Sequence, residues 1–252
     1  MSEQPAFAAD PATATYYERR AAEYDEWYGG EGIFAHRDRP GWHETVAALV
    51  ALVASLPEAR TVDVACGTAF VSMHLRGELL GFDLSSSMVA IARRRLGNGV
   101  AVGDALDLCV ATRSCDRVFA GHFYGHLPPD ERTRFLAEAR RIGPELVVAD
   151  SARRPDSPRD GWQRRTLNDG SVHRVYKRYF GAAQLAAELG GVVLLESPWF
   201  VVVRRVWDSP REVAGRGGRR PQDPDTDGQR TAARTERAAV METGTTARPS
   251  AL

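Results

Sequence analysis

The most informative segment of this chain reads Thr61-Val62-Asp63-Val64-Ala65-Cys66-Gly67-Thr68-Ala69. It opens as a short apolar run around one acid, which predicts a buried strand. Small residues follow, and they let backbone N–H groups approach a ligand at the start of a helix. The segment therefore predicts a strand, a tight turn and a helix, with a binding site at the turn.

Similar apolar runs recur along the chain and alternate with stretches of helical character. Strands are predicted at 61–65, 78–83, 99–103, 116–121, 145–150, 192–196 and 200–206, and helices at 69–76, 86–96, 129–142 and 182–189. Continuously apolar runs such as Leu146-Val147-Val148 are typical of parallel strands covered on both faces. The last two strands are joined by a turn too short for a helix, so they should run antiparallel. We expect an α/β fold with a seven-stranded, mostly parallel sheet, a terminal antiparallel hairpin and helices on both faces.

Two further structured regions flank or interrupt this alternation. Four aromatic residues recur at helical spacing in an N-terminal helix that ends at Gly29-Gly30, and a second helix lies between Pro40 and Pro57. Residues 160–179, with Asn168-Asp169-Gly170 at their centre, predict a β-hairpin inserted over the carboxyl edge of the sheet.

Composition and termini restrict the class of protein. Lys plus Arg and Asp plus Glu both total 33 in 252 residues, and a zero net charge disfavours nucleic-acid binding. No signal peptide, membrane span, disulfide framework or metal-ligand spacing is evident, so we expect a cytoplasmic protein without metal. We predict disordered ends at 1–13 and 208–252 around one domain, 14–207, whose helical cap is 14–57 and whose core is 58–207.

An acid follows the second predicted strand. Asp83 closes Leu80-Gly81-Phe82-Asp83-Leu84-Ser85, sixteen positions after Gly67, where a carboxylate can accept hydrogen bonds from a ribose diol. A helix-capping role for the same residue is the alternative. Dinucleotide and S-adenosylmethionine sites share this arrangement, but the pattern G-x-G-x-x-G is poorly met because only Gly67 is present.

The segment resembles motif I of class I S-adenosylmethionine-dependent methyltransferases, in which an acid on the first strand begins D-x-G-x-G-x-G. Here the acid is Asp63, and Ala65, Gly67 and Ala69 stand at the glycine positions. The resemblance continues at the family's spacing through Gly81 to Met88, Gly103-Asp104-Ala105 and Asp116 to Phe119. It implies a Rossmann-like fold acting on a small-molecule acceptor with S-adenosylmethionine as cofactor.

The resemblance also implies roles for individual residues. Asp83 would hold the ribose, Met88 and Asp104 the adenine, and Asp63 would orient the loop. The cofactor-binding set is Tyr24, Asp63, Ala65, Gly67, Asp83, Leu84, Met88, Asp104, Ala105 and Gly121. The two alanines depart from the pattern; we expect Ala65, at a strand end, and Ala69, opening a helix, to be tolerated. Weakened or lost cofactor binding is the alternative.

The acceptor site is expected beside the segment Gly121 to Pro128, with the N-terminal aromatic residues as its other wall. His122 is the candidate general base, and a structural hydrogen bond is favoured for His126. The substrate-binding set is Tyr17, Tyr28, Tyr124, His126 and Trp162. On the hairpin, Trp162, Arg165, Arg178 and Tyr179 could complete the pocket or form a dimer contact.

These expectations lead to one leading hypothesis and two alternatives. The leading hypothesis is in-line methyl transfer to a small molecule, with an oxygen acceptor slightly favoured by the two histidines. A nicotinamide-dependent oxidoreductase on a similar sheet is the first alternative. A non-catalytic binding protein that keeps the fold is the second, and it rests on Ala65 and Ala69 alone.

Overall fold

The computed structural model describes residues 10–155 and 157–207, so the predictions for 1–9 and 208–252 lie outside it. The strands are β1 (Thr61–Val64), β2 (Leu79–Asp83), β3 (Val100–Val102), β4 (Arg117–Gly121), β5 (Glu145–Ser151), β6 (Asp160–Thr166), β7 (Val172–Arg178), β8 (Val192–Glu196) and β9 (Phe200–Val206). The helices are α1 (Pro11–Arg20), α2 (Glu26–Gly29), α3 (Trp42–Ser55), α4 (Ser86–Leu96), α5 (Pro129–Ile142) and α6 (Ala182–Leu189).

The main sheet has seven strands in the order β3-β2-β1-β4-β5-β9-β8. The first five are parallel, whereas β9 runs antiparallel to both β5 and β8. The predicted mostly parallel sheet with a terminal antiparallel hairpin is therefore confirmed. The strand order reverses between β1 and β4, and open α/β sheets bind ligands in the crevice at such a point.

Both faces of the sheet are covered, as predicted. On β4 and β5, Val118 and Val148 pack in one core cluster with Phe135 of α5 and Leu185 of α6. The neighbouring residues in the same strands, Phe119 and Val147 among them, pack in a second cluster with Leu49 and Val53 of α3. Successive side chains of a strand point to opposite faces, so one pair of strands anchors both helical layers.

The N-terminal helical region begins earlier than the sequence predicted, and it is divided into shorter helices. Helix α1 begins at Pro11, because the Asp10 side chain accepts hydrogen bonds from the backbone N–H groups of Ala12 and Thr13. Residues 11–13, which were expected to be disordered, are therefore helical. The single helix predicted to Gly29 is divided into α1, a 3₁₀ turn and α2, and it ends at Gly30 in the left-handed region.

The helix predicted at 69–76 is wrong. That stretch contains only a 3₁₀ turn at Ser72–His74. After β1 the backbone enters the left-handed region three times, at Ala65 (φ 56°), Gly67 (φ 56°) and Ala69 (φ 62°). Ala69 therefore does not open a helix as expected, and both alanines lie in a region that costs an L-residue roughly 1–2 kcal/mol.

The inserted hairpin is confirmed as the antiparallel pair β6–β7. Its inner face packs against α1, where Leu167 and Val175 form a small apolar cluster with Tyr16. At the sheet edge, Lys177 of β7 pairs with Asp150 of β5, and both side chains are buried. Among the described helices, none combines the length and apolar character needed to cross a membrane.

Candidate active site

A cleft opens at the carboxyl ends of β1, β2 and β4. Its volume is about 740 Å³, open mouth included. Nine of the ten residues in the predicted cofactor set line it: Tyr24, Ala65, Gly67, Asp83, Leu84, Met88, Asp104, Ala105 and Gly121. Six further lining residues lie outside the predicted sets: Ser85, Gly103 and Phe123, which belong to the motif segments, and Thr13, Ala14 and Leu106, which sequence reasoning missed. We call this space the main cleft.

Asp83 lines the main cleft and holds two neighbouring backbone segments by hydrogen bonds. Its Oδ2 accepts a hydrogen bond of 2.8 Å from the backbone N–H of Gly67, and its Oδ1 accepts one of 2.8 Å from Ser85. Helix α4 is capped instead by Ser85, whose Oγ accepts from the Met88 N–H. Burial raises the pKa of Asp83 to about 6, against the two N–H donors, and Glu18 adds to the rise. Each carboxylate oxygen keeps lone-pair capacity toward the cleft.

Asp63 is the predicted cofactor residue that lies outside the main cleft. It is 2% exposed and lines a smaller adjoining cavity behind Ala65, together with Tyr28 and Phe70. Its Oδ1 has no hydrogen-bond partner among the described residues. Burial raises the pKa of Asp63 to about 8; the nearby Ser72 hydroxyl opposes this rise and Asp83 adds to it. This smaller cavity shares Tyr24, Ala65 and Gly121 with the main cleft.

The side chain of Glu18 anchors helix α1 over the main cleft by hydrogen bonds. Glu18 was not among the residues predicted from the sequence. Its carboxylate accepts hydrogen bonds from the hydroxyls of Ser85, Ser86 and Ser87 and from the backbone N–H of Ser87. Burial alone would raise the pKa of Glu18, but the serine donors outweigh it and lower the pKa to about 2. The carboxylate thus ties α1 to the first turn of α4, where negative charge is favoured.

A second group of polar contacts joins the N-terminal helical region to the loop after β1. Asp25 accepts a hydrogen bond of 2.6 Å from the Thr68 hydroxyl and forms an ion pair with Arg95 of α4. Arg95 also donates to the Thr68 carbonyl. The Tyr24 ring covers the loop, since a Cβ added at Gly67 would lie 3.8 Å from it.

A side cavity of about 460 Å³ adjoins the main cleft under the hairpin. The two spaces share four lining residues, which are Tyr17, Tyr24, His122 and His126. The side cavity is otherwise lined by Tyr16, Arg20, Trp27, Ser151, Arg165, Val175 and Lys177. A ligand in one space would therefore meet a ligand in the other at these two histidines and two tyrosines.

His122 lies at this junction with a left-handed backbone and a side chain that makes no hydrogen bond to the described residues. It is 8% exposed, its φ is 58°, and neither ring nitrogen has a hydrogen-bond partner among the described residues. Edge-on contacts with Trp27 and Phe200 hold the ring in place. Burial lowers the pKa of His122 to about 4; Asp150 opposes this and Lys177 adds to it. The imidazole is thus neutral at pH 7, with a nitrogen able to accept a proton or hydrogen bond.

His126 is held by two hydrogen bonds. Its Nδ1 lies 2.7 Å from the carbonyl oxygen of Tyr176, and its Nε2 lies 3.2 Å from the Tyr17 hydroxyl. A carbonyl only accepts, so Nδ1 carries the proton and Nε2 accepts from Tyr17. Burial, with help from Lys177, keeps the pKa of His126 well below its usual value. This arrangement supports the positioning role favoured from the sequence.

Three residues predicted to bind substrate lie elsewhere. Tyr124 is buried in the core beside Phe180, and its hydroxyl donates to Glu188 of α6, because the 3₁₀ turn directs its side chain away from the cleft. Trp162 is 40% exposed on the outer face of the hairpin, since alternation places Gln163 and Arg165 inward. Tyr28 stacks on Phe70 beside Asp63 and reaches neither the main cleft nor the side cavity.

The other hairpin residues divide in the same way. Arg165 lines the side cavity, whereas Arg178 pairs with Glu188 and Tyr179 hydrogen-bonds to Gln163. Within the described part of the chain, no cluster of three metal-ligating side chains occurs. Burial, with Asp63 and Asp83 nearby, raises the pKa of the Cys66 thiol, which disfavours a nucleophilic thiolate.

The comparison with known families fits this geometry. Residues 61–143 match the model of the family described as "Methyltransferase domain". This match spans β1 to α5, which build the floor and one wall of the main cleft. These residues are therefore similar to a methyltransferase domain, and the surrounding sheet shares its fold with a solved structure described as a DhpI–SAH complex. The match favours the leading hypothesis over the nicotinamide alternative.

Two curated proteins that the chain resembles are also methyltransferases by name. The chain is 35% identical over 145 residues to a dTDP-3-amino-3,6-dideoxy-alpha-D-glucopyranose N,N-dimethyltransferase of Streptomyces fradiae, covering 53% of this chain and 54% of that protein. It is 36% identical over 107 residues to a demethylmenaquinone methyltransferase of Thermotoga maritima, covering 40% and 44%. The chain spans about half the length of these curated relatives. A DhpI–SAH complex superposes with a TM-score of 0.58 at 24% identity, covering 79% of this chain and 97% of that one, which shows the shared fold.

Proposed function

We propose that this chain binds S-adenosylmethionine in the main cleft and transfers its methyl group to a small molecule held in the side cavity. The observation that supports this most directly is the junction of the two spaces at His122. A methyl transfer needs two ligands end to end, because the reaction is an in-line displacement whose rate depends on alignment. Two adjoining spaces with one narrow shared wall meet that need.

The lining of the main cleft suits the parts of this cofactor. The carboxylate of Asp83 can accept from ribose hydroxyls while it still holds the loop through Gly67. Met88, Leu84 and Leu106 offer apolar surface for a purine, and Asp104 offers an acceptor for its amino group. The left-handed backbone at Ala65 and Gly67 brings main-chain groups to the surface of the cleft. The residues present therefore fit the group.

The chain's own residues orient and desolvate the reactants. When bound, the cofactor supplies a methyl group on a positively charged sulfur. Tyr17 and Tyr24 wall the junction, and α1, held by Glu18, covers it. The neutral His122 would accept a hydrogen bond from the acceptor's hydroxyl or amine on a ring nitrogen and would take the proton that the acceptor loses on methylation. His126 fixes Tyr17 through its Nε2.

Two acceptor atoms are candidates for methylation, oxygen and nitrogen. Oxygen is our preference, because an unpartnered imidazole at the junction can receive the proton of a hydroxyl. Nitrogen is the alternative, favoured by the relative from Streptomyces fradiae, whose name describes an N,N-dimethyltransferase. The three cysteines are free, which suits our placement of the chain in the reducing cytoplasm.

Transfer of a labelled methyl group tests the proposal. Full-length protein is incubated with methyl-labelled S-adenosylmethionine and panels of small phenols, hydroxy acids and amines, and the products are separated by mass. We expect label in at least one panel and S-adenosylhomocysteine formed in equal amount. A protein that binds the cofactor yet labels none of the panels would contradict the proposed acceptor class.

A further inference from the structure

The side cavity is rich in cationic side chains. Arg20, Arg165 and Lys177 line it, and Arg37 lies close enough to Arg20 and Arg165 for their positive charges to lower its pKa, after burial as the main cause. The carboxylates paired with these cations are Glu23 and Asp150. Both carboxylate oxygens of Asp150 already have donors, because one lies 2.5 Å from Lys177 Nζ and the other accepts a hydrogen bond of 2.7 Å from the Gly125 N–H.

Glu23 is divided between two partners. Its Oε1 lies 3.4 Å from Arg20, a long contact, and its Oε2 accepts from the backbone N–H of Asn168. The Arg20 guanidinium also lies over the rings of Tyr16, Tyr24 and Phe34. Arg20 is therefore compensated by one carboxylate and aromatic faces, and Lys177 by Asp150, which leaves Arg165 as the cavity-lining cation without an ion pair among the described residues.

Arg165 is the unusual member of the group. Within the described residues no carboxylate lies within ion-pair distance of it, and its buried Nε has no hydrogen-bond partner. Its Nη2 donates to the Gln163 side chain, which orients the guanidinium. Strand alternation turns Arg165 inward and its neighbour Arg164 outward. A half-buried guanidinium without an acid is costly unless a ligand supplies the negative charge.

We infer that the acceptor carries an anionic oxyacid group, a carboxylate or a phosphoryl group, which binds Arg165 in the side cavity. A guanidinium offers two parallel donors that match such an anion. The aromatic walls formed by Tyr16, Tyr17 and Trp27 would hold the rest of the molecule, with its reacting atom toward His122. This inference rests on the proposed function, because it assigns the acceptor of the same site.

The cofactor offers a competing anion, the carboxylate of its methionine part. Arg20 and Arg165 both line the side cavity and neither lines the main cleft, but Arg20 also lies over the ring of Tyr24, a residue of both spaces. A test must therefore separate an effect on the acceptor from an effect on the cofactor.

The experiment titrates matched probes into full-length protein saturated with S-adenosylhomocysteine. The probes are 4-hydroxybenzoate, phenyl phosphate and the neutral 4-hydroxybenzamide, and binding is measured by calorimetry. We expect at least one anion to bind about tenfold more tightly than the amide, as expected for a charged hydrogen-bonded contact. Arg165→Gln should remove that preference, whereas Arg164→Gln, which removes the same charge from the outer face of the same strand, should retain it.

Three outcomes would overturn the inference. Equal binding of the anions and the amide, or no binding of any anion, would show that the cavity does not select charge. A loss of S-adenosylhomocysteine affinity in Arg165→Gln equal to its loss of anion affinity would assign Arg165 to the cofactor. If Arg165→Gln fails to fold, Arg165→Lys keeps the charge without the paired donors and should bind the anion more weakly than the native protein. Failure of S-adenosylhomocysteine itself to bind would instead contradict the proposed function.

Discussion

The Asp83 carboxylate accepts a hydrogen bond of 2.8 Å from the backbone N–H of Gly67, sixteen residues earlier in the chain. This contact joins the end of β2 to the loop after the neighbouring strand β1, beside the point where the strand order reverses between β1 and β4. The same carboxylate would bind the cofactor's ribose, so it connects the shape of the loop to ligand binding.

Replacing Asp83 should weaken cofactor binding strongly. Asp83→Ala removes the ribose acceptor and frees the Gly67 N–H, and losing hydrogen bonds to a charged group should reduce S-adenosylhomocysteine affinity by a factor of about 10–100. The measurement is calorimetry on full-length protein with circular dichroism to check folding. Asp130→Asn, at an exposed acid on α5, is the matched control. Native-like affinity in a folded Asp83→Ala variant would refute the assignment.

Asp63 should make stability fall as pH rises. Its folded-state pKa, about 8, lies above its value near 4 in an unfolded chain, so between these values the folded state binds more protons. The free energy of unfolding should then decrease with pH by up to about 1.4 kcal/mol per unit. Asp83 contributes in the same sense only up to its pKa of about 6. Asp63→Asn should therefore flatten the decline between pH 6 and 8 in urea unfolding, and an unchanged slope would contradict this.

The two alanines in the loop should respond to glycine in the opposite way from an ordinary helical alanine. Ala65→Gly and Ala69→Gly relieve left-handed strain of roughly 1–2 kcal/mol each, against an entropy cost of about 0.5–1 kcal/mol. Each variant should gain about 0.5–1 kcal/mol in the free energy of unfolding. Ala90→Gly, exposed within α4, should instead lose about 1 kcal/mol. Destabilisation by all three variants would show that the loop alanines are unstrained.

Glu18 should control how firmly α1 closes the main cleft. Glu18→Gln keeps the size of the side chain but weakens the contacts with Ser85, Ser86 and Ser87, so S-adenosylhomocysteine should dissociate several times faster, as roughly expected for charge-assisted bonds. Stopped-flow displacement measures this rate. Glu44→Gln, at an exposed acid on α3, is the control. Equal dissociation rates in the two variants would mean that the hydrogen bonds between Glu18 and the serines do not retain the cofactor.

His122 should affect the transfer step more than cofactor binding. His122→Asn removes the imidazole but tolerates a φ of 58°, because Asn enters the left-handed region readily. With an acceptor from the labelled panels, kcat should fall by a factor of about 100 or more, while S-adenosylhomocysteine affinity changes little. An unchanged kcat would contradict a proton-accepting role for His122 and leave it only as a residue that lines the junction.

The sequence predicted the strands well because each carries its own signal. Runs such as Leu146 to Val148 are apolar on both faces, and they became the central strand β5. The helix at 69–76 failed because apolar spacing does not reveal three left-handed residues in one loop. The start of α1 was missed although Asp10-Pro11 is a recognisable cap signal.

The candidate site was predictable where the motif itself lines the cleft, and less so elsewhere. Gly67, Asp83 and Asp104 follow strands whose ends meet at one edge. The inward face of the hairpin depends on register, which turns Arg165 in and Trp162 out. Glu18 could not be assigned at all, since its serine partners lie 67–69 residues away and meet it only through the placement of α1 on α4.

Calorimetric titration of S-adenosylhomocysteine into the native full-length protein tests the central claim most directly. If the main cleft is a cofactor site, binding should be one to one with a dissociation constant in the micromolar range, about −8 kcal/mol. Well-folded protein that gives no heat of binding at millimolar ligand would contradict the claim.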